Sequence, residues 1–163
     1  MTGLPEFWRT EIWHPLSVHF PIAILILGSF FMVISAIIKK NFWGDMSKIL
    51  LVIGTVGIWI TIYTGNLADS VVARKICDPI VLETHEANAY IVGWIFSIVS
   101  TIIILEYFCF LKKIKNQLRI IFVVLSIIGS GILMYTGHLG ATLVYQHAAG
   151  IHIPSEDCSE FTE

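Results

Sequence analysis

Four apolar stretches, each long enough to cross a bilayer, constrain this sequence more than anything else in it. The hydrocarbon core needs about 20 apolar residues per helix, and the runs at about 18–38, 49–67, 87–111 and 120–144 meet that length. Composition agrees. Hydrophobic residues make up 56% of the 163 and charged residues 13%, where a soluble domain carries about 25% charged residues; mean hydropathy is +0.80. So little polar surface argues against a cytosolic enzyme or a disordered adaptor. A formal net charge of −2 supplies no basic field for nucleic acid. The expectation is an all-α integral membrane protein in the lipid bilayer: one four-helix transmembrane domain over 1–163, with a short outer N-terminus and a tail at 148–163.

The first apolar run reads as a span rather than a cleaved leader, since it lacks a basic n-region and ends in Lys39-Lys40 instead of a small-residue cleavage site. Basic residues then orient the chain. Lys39, Lys40 and Lys48 lie around the connection between spans 1 and 2, and Lys112, Lys113, Lys115 and Arg119 around that between spans 3 and 4. Only Arg9, Arg74 and Lys75 fall on the other side. The positive-inside rule places both Lys-rich connections in the cytoplasm and both termini outside.

Sliding the chain by 72 residues aligns Tyr63-Thr64-Gly65-Asn66-Leu67 with Tyr135-Thr136-Gly137-His138-Leu139, and Gly57 with Gly129. Spans 2 and 4 therefore read as copies, and the bundle as two repeated helical hairpins. The glycines serve close helix approach; Gly65 and Gly137 are alternatively room for a planar ligand against the backbone.

All six histidines fall on the outer side. His14 and His19 open span 1, His85 opens span 3, His138 and His147 lie at the outer end of span 4, and His152 is in the tail. Histidine is costly inside a membrane and marks functional sites there. His19 and His138 are the foremost ligand candidates. His19 sits in a helix start shaped by Pro15 and Pro21, and His138 stands between Gly137 and Gly140. His85 and His147 join them, with His14 in reserve. Because His14 precedes proline, an extended or capping conformation is expected there. His147, nine residues after His138, either faces elsewhere on one helix or belongs to a new segment after Gly140. His152 reads as a solvated tail residue.

Imidazole suits haem iron, copper and zinc. No CxxCH sequence is present, so covalent haem attachment is excluded. Zinc wants three or four ligands, and Cys77, Glu83 and Glu86 near His85 keep it open. Cys77 and Cys158 both lie outside, where a disulfide is an option that nothing in the sequence decides. Arg9, Arg74 and Lys75 are the outer cations available to a carboxylate-bearing ligand.

The segments His14-Pro15-Leu16-x-Val18-His19-Phe20-Pro21 and Gly137-His138-Leu139-Gly140-Ala141-x-Leu143-Val144-Tyr145-x-His147-Ala148 resemble the prokaryotic membrane family called domain of unknown function 2231. That family reads HPLxVHFP at its start and GHLGGxLVYxHG at its end; Ala141 and Ala148 stand where it often has glycine. Its layout is similar to the four-helix di-haem b-type cytochromes, and relatives occur fused to c-type cytochrome domains. The resemblance implies a multi-pass protein of the bacterial inner membrane. It also implies a b-type cytochrome-like electron-transfer subunit rather than a stand-alone enzyme. One or two b haems would be ligated from His19, His85, His138, His147 and His14 at the outer, periplasmic face. The implied partners are a periplasmic c-type cytochrome, other membrane subunits or a quinone. Two other readings stand beside it: a non-haem copper or zinc protein using His19, His85, His138 and His147, and a non-catalytic scaffold subunit of a membrane complex.

Overall fold

A computed structural model describes residues 9–38, 40–76, 78–108, 115–151 and 156. Cys77, Cys109, Cys158 and His152 lie outside the described residues, so the disulfide option and the tail histidine are not placed. Four helices account for nearly all of the described chain: α1 (Thr10–Ile38), α2 (Asn41–Val72), α3 (Pro79–Tyr107) and α4 (Lys115–His147). Each contains a window apolar enough to cross a membrane, with mean hydropathy between 1.7 and 2.6.

At the end that carries the histidines all four helices run further than the apolar stretches alone suggest, because polar residues extend these turns. At the other end α2 and α4 begin earlier, at Asn41 and Lys115, and α3 ends at Tyr107, short of the expected 111. At the start of α3, Asp78 caps the helix: its side chain accepts the Ile80 N–H at 2.9 Å, and Pro79 occupies the first helical turn, where a missing N–H costs nothing. Thus α3 begins eight residues before Ala87, and His85 lies inside it. Helix α4 passes through Gly140 without a break and stops where Ala148 adopts a left-handed φ of 55°. His138 and His147 therefore share one helix, and nine residues at about 100° each put them on opposite faces.

Helix α1 begins at Thr10, so His14 is helical and not extended, despite the proline that follows. Pro15 forfeits only a bond to the Glu11 carbonyl, in the first turn of the helix. Deeper in, Pro21 cannot bond the Ser17 carbonyl, and the Thr61 hydroxyl of α2 approaches that oxygen at 3.5 Å. The Pro21 ring sits where a Cβ on Gly57 would lie 3.0 Å from it. Gly57 thus makes room for the proline of its neighbour.

Each helix packs against two others in the ring α1–α2–α3–α4, with α4 closing on α1. This sets α1 diagonally across from α3. Leu25, Leu51, Val92, Phe96 and Val99 are fully buried on the axis, and Gly54 and Gly129 receive Leu25 and Phe96 respectively. The outside is apolar too: Phe20, Phe30, Ile37, Ile60, Trp94 and Ile120 are all more than half exposed. An apolar exterior around an apolar core is what a bilayer solvent requires. Most polar side chains in the core are small; among the described residues the hydroxyls of Ser29, Ser126 and Ser130 have no partner, whereas Ser35 and Ser47 donate to the Met32 and Gly28 carbonyls. The Thr55 hydroxyl lies 2.7 Å from that of Ser100 and donates to the Leu51 or Phe96 carbonyl.

Candidate functional site

The starts of α1 and α3 and the ends of α2 and α4 meet at one end of the bundle, and there two histidines converge from diagonal helices. His14 of α1 and His85 of α3 have ring centroids 6.2 Å apart and ring planes at 86°. Each ring is held in the same manner. Nδ1 of His14 donates to the Thr61 carbonyl of α2 at 3.1 Å, and Nδ1 of His85 donates to the Thr136 carbonyl of α4 at 2.9 Å. A carbonyl can only accept, so in both rings Nδ1 carries a proton, and in the neutral ring Nε2 keeps its lone pair. Metal-binding histidines are oriented in just this manner, by a main-chain acceptor on the nitrogen away from the metal.

A glycine one turn beyond each acceptor makes room for the ring. A Cβ on Gly65 would lie 3.2 Å from Cε1 and Nδ1 of His14, and one on Gly140 would lie 3.2 Å from Cε1 of His85. The same pattern, Thr-x3-Gly, therefore serves both hairpins. Gly54 and Gly129 stand seven residues before Thr61 and Thr136 and perform matching packing roles against Leu25 and Phe96. These matching contacts set α2 residues 75 positions from their α4 counterparts (Thr61 to Thr136), and α1 residues 71 from those of α3 (His14 to His85). The uniform offset of 72 read from the sequence pairs Gly65 with Gly137 instead. Gly137 is exposed and has nothing within 4 Å of its Cβ position, so it does not share the role of Gly65.

The other candidate histidines are placed apart from this pair. His19 is exposed, its Nδ1 donating to the Pro15 carbonyl of its own helix at 2.8 Å. His138 is exposed on α4, and His147 is half-buried in the last turn of that helix. Among the candidate cations, Arg9 is committed to the buried Glu11, while Arg74 and Lys75 are exposed just after α2. Around the pair, Ser17 bonds Thr64 across α1 and α2 at 2.9 Å, and Asn66 donates to the Tyr90 hydroxyl at 2.8 Å between α2 and α3.

Chemically, the site offers two imidazoles whose Nδ1 atoms are engaged by main-chain carbonyls, leaving Nε2 available to a ligand. Among the described residues no group of three or more His, Cys, Asp or Glu side chains converges. The main-chain acceptors and Gly140 were not recognisable as site elements from residue types. Their one signal was the recurrence of Gly-x6-Thr-x3-Gly at 54–65 and 129–140.

No curated protein and no solved structure matches the chain. A family model does, over residues 12–152, a stretch that takes in both histidines, both acceptors and both glycines. The chain therefore belongs to the family described as predicted membrane protein (DUF2231).

Proposed function

We propose that this protein is a membrane electron carrier in which His14 and His85 would hold the iron of one b-type haem. The observation that carries the reading is the donor set: two imidazoles from diagonal helices, each with Nδ1 tied to a main-chain carbonyl and Nε2 left free. Haem iron needs two protein ligands because the macrocycle fills its other positions, and helix bundles build such sites from facing side chains. Zinc fits less well, since a closed zinc site takes four ligands and the described residues bring two together. Copper is the second reading, because two imidazoles form a donor set it accepts.

Bound there, a haem would supply reversible one-electron chemistry. His14 and His85 would hold the iron, and the Thr61 and Thr136 carbonyls would fix the orientation of the two rings. His14 lies four residues into α1 and His85 six into α3, which is roughly 6 and 9 Å along the axis. Helices of 29 residues measure about 44 Å against a hydrocarbon core of about 30 Å. The pair thus belongs at one edge of the core, and the basic residues favour that edge being the outer one. An electron would be exchanged on that side, with a periplasmic cytochrome, a quinol or a partner subunit. Matching contacts in the two hairpins support an internal repeat whose pseudo-twofold axis passes between the rings.

The test is the reduced-minus-oxidised visible spectrum of the purified protein, with metal analysis of the same sample. Expected are b-type bands and iron, retained in His19→Ala and His138→Ala and lost in His14→Ala and His85→Ala. Copper without iron would favour the second reading. A folded protein with neither would leave the scaffold role.

A further inference from the structure

The end of the bundle remote from the histidines holds a second polar site. A cavity of about 150 Å³ opens there between the helices, and its lining includes Lys40, Lys48 and Arg119 together with Asp45 and Glu106. Three of these groups are engaged. Lys48 of α2 pairs with Glu106 of α3 at 2.6 Å, with side chains 29% and 12% exposed. Arg119 of α4 donates one N–H to the Ala36 carbonyl in the last turn of α1 at 2.7 Å. That bond satisfies a carbonyl left without a helical partner, and it leaves most of the five guanidinium donors unspent.

The charges do not balance. Glu106 offsets Lys48, and Asp45 offsets one of the two remaining cations, so the cavity carries one formal positive charge. Its inner wall is apolar, with Met32 and Phe122 each 2% exposed. A half-desolvated guanidinium beside such a wall favours an anion over water. More charge of the same sign flanks it in sequence: Lys39 next to Lys40, and Lys112, Lys113 and Lys115 in and after the α3–α4 connection.

We propose that this cavity binds a phosphate group, with Arg119 and Lys40 as its principal partners. Arginine presents parallel donors that match phosphate oxygens, and 150 Å³ accommodates a tetrahedral oxyanion. The cavity lies at a bundle end, at headgroup depth, where basic pockets between transmembrane helices take anionic lipid headgroups. Ile37, Ile38 and Phe42, exposed beside it, offer an apolar surface for acyl chains. A free phosphate would use the same donors.

Native mass spectrometry of the full chain tests this. The protein is released from detergent micelles containing phosphatidylglycerol or phosphatidylcholine of equal chain length, with and without millimolar inorganic phosphate. Expected is preferential retention of one phosphatidylglycerol, reduced about fivefold by Arg119→Gln and by Lys40→Gln. Asp45→Asn, which adds a net positive charge without removing a donor, should raise retention; it keeps the test decisive if Arg119→Gln fails to fold. Displacement by inorganic phosphate, or binding of phosphate alone with no lipid preference, assigns the site to free phosphate. Equal retention of both lipids with no phosphate bound overturns the proposal. So does a preference that Arg119→Gln, Lys40→Gln and Asp45→Asn all leave unchanged.

Discussion

Three glycines near the ends of α2 and α4 separate the geometry of the histidine pair from the pattern in the sequence. Gly65→Ala places a methyl 3.2 Å from Cε1 and Nδ1 of His14, so the ring must retreat by a few tenths of an ångström. Its bond to the Thr61 carbonyl, already 3.1 Å long, stretches toward the limit of hydrogen bonding. Overpacking of this kind costs about 1–3 kcal/mol, against a gain of up to about 1 kcal/mol from replacing glycine in a helix. The expected net is a loss of about 1–2 kcal/mol in stability. On the proposed haem reading, disturbing the group that orients a ligating histidine should also weaken haem affinity by about tenfold or more. Gly140→Ala should act alike through His85. Gly137→Ala, with open space around its Cβ position, should be silent or slightly stabilising. The assay is a thermal unfolding midpoint in detergent for the three variants, alongside cofactor content per protein. If Gly65→Ala and Gly140→Ala behave like Gly137→Ala on both measures, the packing of the rings against these glycines is refuted.

Other substitutions probe the scaffold. Gly54→Ala drives a Cβ to 2.6 Å from Cδ2 of the fully buried Leu25, so it should lower the unfolding midpoint more than Gly65→Ala, by about 3 kcal/mol. Lys48→Met and Glu106→Gln should each cost about 1–3 kcal/mol by stranding the partner. The double variant should cost less than their sum, which a double-mutant cycle on unfolding reads directly. Thr55→Val removes the hydroxyl shared with Ser100 and should cost about 0.6–1.7 kcal/mol, the range for hydrogen bonds between membrane helices, measured as a shift in denaturation midpoint.

The four spans were legible because bilayer thickness imposes a length that apolar runs display directly. Their true ends were less so, since polar turns at the histidine-bearing end are extended by local devices such as the Asp78 cap with Pro79, which hydropathy does not register. Locating histidines on one side followed from topology. Choosing among them did not, because that depends on which face of each helix turns inward. His19 and His138 sit in the most distinctive sequence surroundings, yet both are exposed, while His14, held back on account of Pro15, turns inward. The offset of 72 maximised residue identity in α2 and α4, whereas packing matches Gly-x6-Thr-x3-Gly at an offset of 75. Three residues is nearly one helical turn, so both alignments look periodic, and only contacts distinguish them.

The acceptors that orient His14 and His85 are main-chain oxygens. No substitution at Thr61 or Thr136 can delete them, so a conventional mutational scan would leave half of the site invisible. What holds the rings is instead the sliding position of α1 along α2 and of α3 along α4. A shift of one residue is about 1.5 Å, enough to part either donor from its carbonyl. Inserting or deleting a single residue within α2 between Lys48 and Thr61 would move the Thr61 carbonyl by about 1.5 Å and turn it by about 100°, and so reaches the main-chain part of the site that substitutions at Thr61 leave in place.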